Sequence, residues 1–125
     1  MRIAILTDIH ANREAFAAVL ADVDQRKVQQ IVLLGDIVGY GPDPEWCCTR
    51  AMQLAGAGAL VVQGNHDAAV GQGAQDFSTN ARIAMDWTRP RLRADQRAFL
   101  AGLPLTAEVG EALLVHASAE QPGEW

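Results

Sequence analysis

Four short apolar runs punctuate the chain: Ile3-Ala4-Ile5-Leu6, Ile31-Val32-Leu33-Leu34, Leu60-Val61-Val62 and Ala112-Leu113-Leu114-Val115. Runs of this length without polar alternation predict strands buried on both faces, as in a mostly parallel sheet. Between them the period becomes helical. Phe16, Val19, Leu20 and Val23 recur at i, i+3, i+4 and i+7, with Asn12 as the candidate N-cap and Glu14 in the first turn. Asp43 and Pro44 open a second helix, which turns Cys47, Cys48, Ala51, Leu54 and Ala55 inward and stops at Gly56. Two more helices are predicted over 78–88, closed by Pro90, and over 94–100, closed by Gly102 and Pro104. Leu105 to Val109 and Ala112 to His116 flank Gly110-Glu111 and read as a hairpin. The order is β-α-β-α-β, two helices and a hairpin, which is an α/β fold.

Each apolar run leads into residues of metal-ligand type. The first reaches Thr7-Asp8-Ile9-His10, the second Gly35-Asp36, the third Gln63-Gly64-Asn65-His66-Asp67 and the last His116. In an open α/β sheet, ligands gather beyond the carboxyl ends of the strands. Neighbouring strands would therefore bring Asp8, His10, Asp36, Asn65 and His116 to one rim. Carboxylates, imidazoles and a carboxamide oxygen suit Mn, Fe, Zn, Co or Ni better than Ca, which takes oxygen ligands only. A carboxylate after a middle strand can touch two ions, and Asp36 holds that place. Taken singly, a strand-end Asp is an ordinary turn former and a lone His an ordinary core residue. Four such strand ends in order outweigh that. Asn12, beside His10, reads equally as a phosphate contact at a helix N-terminus and as a plain helix cap.

Composition narrows the classes. The 125 residues suit one domain, and 10 Lys plus Arg against 15 Asp plus Glu leave a net charge of -5. With no basic run, a sequence-specific nucleic-acid binder is not expected. No apolar stretch approaches the ~20 residues of a membrane span. The two cysteines, Cys47 and Cys48, are adjacent, so they read as reduced, partly buried thiols and point to the cytoplasm. Gly35 to Gly41 lacks the Lys-Ser/Thr of a P-loop and the Gly-x-Gly-x-x-Gly order, which sets aside a nucleotide-binding module there.

Asp8-Ile9-His10, Gly35-Asp36, Gly64-Asn65-His66-Asp67 and the strand-borne His116 together resemble the calcineurin-like metallophosphoesterase superfamily. Gly35 to Pro44, Ala81 to Thr88 and Val115-His116-Ala117-Ser118 resemble its small prokaryotic phosphodiesterase, diadenosine-tetraphosphatase-like branch. The resemblance implies a metallophosphoesterase-type sheet flanked by helices, within an α-β-β-α two-sheet sandwich. It implies two divalent ions, Mn foremost, with Fe, Zn, Ni or Co as alternatives. Asp8 and His10 would hold one ion, Asn65 and His116 the other, and Asp36 would bridge them. His66 would be catalytic rather than a ligand, serving the leaving oxygen while a metal-activated hydroxide attacks phosphorus. The substrate would be a phosphomonoester or phosphodiester, either a small molecule or a nucleotide.

Departures refine that expectation. Protein Ser/Thr phosphatases of the superfamily carry Asp and Arg where this chain has Gly39 and Tyr40, so a protein phosphatase is not expected. Ala11 and Ala117 stand where Gly is usual, and Pro90 and Arg93 would loosen the connection between the last two helices. The later Gly-His-x-His motif is missing, and the histidines are His10, His66 and His116 alone. The chain therefore reads as the N-terminal half of a longer protein, with Leu113 to His116 opening a second sheet. Two functions follow. One is a metal-dependent phosphoesterase. The other is a catalytically silent domain that binds metal or a partner, including a second copy, through an uncovered sheet. Short of two histidines, the isolated chain is expected to hold at most one ion tightly.

Overall fold

The computed structural model covers residues 1–125. Strands β1 (Ile3–Leu6), β2 (Gln30–Leu33) and β3 (Leu60–Val61) form a parallel sheet in the order β1-β2-β3. Ile3 pairs with Gln30 and Val32 with Leu60, so β2 is the middle strand, as the placement of Asp36 requires. Helices α1 (Arg13–Gln25) and α2 (Pro44–Gly56) connect the strands. After β3 come α3 (Asn65–Gln72), α4 (Thr79–Thr88), a 3-10 turn (Arg89–Arg91) and α5 (Ala94–Ala101). The expected hairpin follows as β4 (Thr106–Val109) and β5 (Ala112–Val115), an antiparallel pair in a sheet of its own with Gly110 in the turn at φ +58°.

The core joins Phe16, Leu20 and Val23 of α1 to Cys47, Cys48, Ala51 and Leu54 of α2, with Leu33, Ile37 and Val38 between. Two polar side chains fasten α5 to this core. Buried Gln63 donates to the Leu100 carbonyl at 3.0 Å, satisfying an end of α5 that has no helical partner. Buried Gln96 donates to the Glu45 carbonyl and to Thr49 Oγ1, and its oxygen accepts from Arg93 N at 3.1 Å. The connection around Pro90 is tied rather than loose. Arg89 donates to the carbonyls of Ala69 and Val70, and Leu92 is buried.

Four expectations change. Neither β1 nor β5 is buried on both faces: as the edge strand β1 leaves Ile5 53% exposed, and β5 leaves Ala112 and Leu113 exposed. Val19 is exposed beside Ile5, although its spacing places it on the apolar stripe of α1. Asp43 precedes α2 but makes no side-chain capping bond, whereas the Asn12 carboxamide oxygen caps α1 by accepting from Ala15 N at 3.0 Å. Helix α3 was not anticipated. His66 to Val70 are buried consecutively, so neighbours on every side leave no 3.6-residue stripe to read.

Two predictions arise from the core. Cys47 and Cys48 are both fully buried and free, and burial pushes each thiol up to about 12. Iodoacetamide should leave both untouched in the native protein and label both in urea; rapid native labelling would refute their burial. Ala11 is fully buried at φ +53°, where a Cβ is strained. Ala11→Gly should therefore cost nothing or stabilise by up to about 1 kcal/mol, relief of strain offsetting the lost methyl. A lower urea midpoint would contradict this.

Candidate metal centre

The loop after β1 runs beside the loop after β2 as a continuation of the sheet. Asp8 N donates to Gly35 O at 3.1 Å, His10 N to Asp36 O at 2.9 Å and Ala11 N to Ile37 O at 2.8 Å. Both loops use left-handed backbone at residues other than glycine, with φ +56° at Asp8, +48° at His10, +56° at Asp36 and +64° at Tyr40. Each such residue gives up about 1 kcal/mol, and Asp and His are among the side chains found there most often. Strain gathered where the ligand-type residues lie fits a site held in place by its surroundings.

Asp67 does much of the holding. It is fully buried in the first turn of α3. One carboxylate oxygen accepts from Asp36 N at 2.8 Å and Gly64 N at 3.0 Å; the other accepts from Ile37 N at 2.9 Å and Val38 N at 3.4 Å. Burial pushes this carboxyl up to about 7, although the backbone N–H groups favour its ionised form. The close approach of the two loops also needs glycine. A Cβ on Gly35 would stand 2.5 Å from Gly64 N, and one on Gly64 would collide with the Asp36 carboxylate and amide. Asp67 closes the Gly64-Asn65-His66-Asp67 motif without being an expected ligand. Its signal was its place three residues after Gly64, where an acid reaches back to the residue that precedes a helix.

All five expected ligands meet around Asp36, whose side chain is 5% exposed. His10 Nε2 lies 3.5 Å from Asp36 Oδ2 and 3.4 Å from Asp8 Oδ1, and His116 Nε2 lies 3.4 Å from the same Asp36 oxygen. The other nitrogen of each ring is occupied: His10 Nδ1 donates to Val38 O at 3.2 Å and His116 Nδ1 to Leu34 O at 2.6 Å. A carbonyl only accepts, so each Nδ1 carries a proton, and a ring with no second proton presents an Nε2 lone pair to a carboxylate. Lone pair against carboxylate is stable only with a cation or proton between them. The Asn65 amide sits 3.2 Å from both Asp36 oxygens, where its oxygen faces them unless the group turns to donate its NH2. Carboxylates, backbone-anchored imidazoles and a carboxamide oxygen thus fit a borderline divalent ion.

His66 belongs to the same cluster. Its backbone N donates to Asp36 Oδ1 at 3.0 Å, and a ring nitrogen lies within 4.8 Å of ligand atoms of His10 and Asp36. The ring packs against Tyr40 and Phe77 at centroid distances of 4.8 Å, and against His10 at 4.9 Å. Its Nδ1 is buried without a partner, and a Cβ on Gly39 would stand 2.5 Å from it. Gly39 thus lets the ring pack directly on its backbone, where a side chain of any other residue would collide with it. Burial holds the imidazole below its ordinary pKa, outweighing the Asp36 carboxylate. Neither Tyr40 nor Phe77 is legible in the sequence as a site residue, because the contacts exist only where α3 and the connection after it meet the loop after β2.

Known proteins resemble this chain in sequence and in fold. The family described as calcineurin-like phosphoesterase matches residues 1–121. An uncharacterized protein of Methanocaldococcus jannaschii, MJ0912, is 38% identical over 129 residues, covering 98% of this chain and 52% of that protein. A metallophosphoesterase of Sphaerobacter thermophilus superposes with a TM-score of 0.80 at 41% identity, over 98% of this chain and 49% of the other. A candidate diadenosine tetraphosphatase superposes with a TM-score of 0.74 at 25% identity, over 94% and 50%. The chain spans about half the length of each of these relatives. The chain belongs to the calcineurin-like phosphoesterase family.

Proposed function

We propose that this chain carries the greater part of a two-ion site for hydrolysing phosphomonoesters or phosphodiesters. The carrying observation is the convergence of Asp8, Asn65 and two backbone-anchored imidazoles on the buried carboxylate of Asp36. Asp8 and His10 would hold one ion, Asn65 and His116 the other, with Asp36 shared. Divalent ions bound there would supply Lewis-acid stabilisation of phosphoryl charge and a water acidic enough to react near neutral pH. Mn is the first ion to test.

The chain's own groups orient and shield. His66, neutral because burial lowers its pKa, would donate a ring N–H to the leaving oxygen. Tyr40 and Phe77 hold that ring between them and keep water from its faces. Asn12 already caps α1 through its oxygen, so its NH2 is the part free to touch phosphate. Kinship with the Sphaerobacter metallophosphoesterase and the candidate diadenosine tetraphosphatase supports a phosphate ester or nucleotide as substrate. A cytoplasmic location is proposed from the two buried free thiols; no helix is long and apolar enough to cross a membrane.

The open edge of β1, with Ile5 and Val19 exposed, favours a second reading in which this chain alone is silent and docks a partner or a second copy. Hydrolysis of bis(4-nitrophenyl) phosphate with added Mn separates the two. Turnover should fall about 100-fold in His66→Gln and vanish in Asp36→Ala; turnover unchanged in both variants would sink the phosphoesterase reading. Elemental analysis after dialysis against Mn should find no more than one ion per chain. Two retained per monomer would mean that something else completes the sites, a second chain first among the candidates.

A further inference from the structure

We propose that a second pocket, beside the metal centre, holds the non-reacting phosphate and sugar of a nucleotide-type ester; this rests on the phosphoesterase reading. The pocket measures about 490 Å³ and is walled by Arg13, Pro42, Asp43, Trp46, Thr49 and Arg91 among others. It opens where the site loops end. Arg13 follows His10 by three residues and Pro42 follows Tyr40 by two, while Asp43 N bonds Ala11 O at 3.0 Å. The wall is thus built on the continuation of the two loops that carry Asp8, His10 and Asp36.

Its charges fit a phosphate. The Arg13 guanidinium lies 4.9 Å from the Trp46 ring centroid, and that of Arg91 lies 3.7 Å from the Trp87 ring centroid. Arg91 also donates to the Trp87 carbonyl at 2.7 Å. Neither guanidinium has a carboxylate within 4.0 Å, so both are held in place while keeping donors free. Arginines held on indole faces lose little freedom on binding an oxyanion, and the planar fork suits phosphate. Of the two carboxylates on the wall, Glu45 is already paired with Arg93 at 3.0 Å. Asp43 makes no side-chain capping bond and is left as an acceptor. Two free guanidiniums and one free carboxylate call for an anion that also carries hydroxyl donors, which is the chemistry of a sugar phosphate chain. The uncapped first turn of α2 adds its positive end to the same wall.

Equilibrium dialysis of ATP against the full chain in excess EDTA tests this without metal or turnover. ATP should bind, tripolyphosphate should compete, and adenosine alone should not bind. The double variant Arg13→Gln, Arg91→Gln should weaken ATP by about tenfold or more, two charge-assisted contacts being lost. Both side chains are exposed, and an unchanged thermal melt would show that the variant is folded. No ATP binding in the wild type, or binding undiminished in the folded variant, would overturn the pocket. The two proposals fail separately. Hydrolysis of the aryl diester without metal-free ATP binding removes only the pocket; arginine-dependent binding without any hydrolysis removes the phosphoesterase reading and leaves a polyphosphate pocket with no part in it.

Discussion

Asp36→Asn is expected to weaken divalent-ion binding by at least ~100-fold, more than the 10–100-fold typical of losing an outer partner of a ligand. Asp36 is the side chain that both His10 Nε2 and His116 Nε2 approach, at 3.5 and 3.4 Å, and the Asn65 amide faces it as well. Asparagine keeps its volume and an oxygen to accept from His66 N, so the loops should hold their course. It removes a buried negative charge set near Asp8 and Asp67, whose mutual repulsion only a cation relieves. The metal-free variant should therefore melt at the same temperature as the wild type or higher, while added Mn no longer raises the melt. Calorimetric titration with Mn and thermal melts with and without the ion read both effects. A folded Asp36→Asn protein with wild-type Mn affinity would remove Asp36 from the centre of the site.

The second large effect concerns Asp67, which touches no expected ligand except through Asp36. At pH 8, above the value of about 7 to which burial pushes it, the carboxylate form prevails. Asp67→Asn keeps the shape but turns one oxygen into an NH2. That NH2 must face either the amides of Asp36 and Gly64 or those of Ile37 and Val38, all of them donors. Two buried N–H groups then lose their acceptor, at about 3 kcal/mol together. Against a total stability of roughly 5–15 kcal/mol, the domain would remain folded but become marginal. The urea midpoint should drop accordingly, and Mn affinity should fall with it because Asp67 fixes the loop that carries Asp36. A midpoint equal to wild type would mean that the four contacts contribute nothing net.

The two substitutions also separate two kinds of site residue. Asp36 meets the ions, so its loss should appear first in binding. Asp67 meets only backbone, so its loss should appear first in stability. Gly35 and Gly64 belong with Asp67: their missing side chains let the two loops touch where the carboxylate joins them.

Strands β1 to β3, helices α1 and α2 and the hairpin were legible because burial imposes a period on the chain. Ile31 to Leu34 carries no polar alternation because the middle strand of the sheet is covered, and Phe16, Leu20 and Val23 recur with the helical turn because one stripe of α1 meets the core. Ligand-type residues at the ends of β1, β2 and β3 were legible for a related reason, since parallel neighbours must present their carboxyl ends on one side. What a one-dimensional pattern cannot carry is which faces find a neighbour. Ile5 and Val19 look like core residues and are exposed, because β1 is an edge and nothing covers that side. Helix α3 has no stripe, because packing surrounds it. His116 reaches Leu34, 82 residues away, from a separate two-stranded sheet. Three of the four N–H bonds on Asp67, the pocket at Arg13 and Arg91 and the packing of His66 on Gly39 likewise arise between segments distant in sequence. Periodicity carried every strand and every α-helix but α3, together with the chemistry at the strand ends; which of those groups meet was settled by loop course and close approach of backbone, which leave no period in the chain.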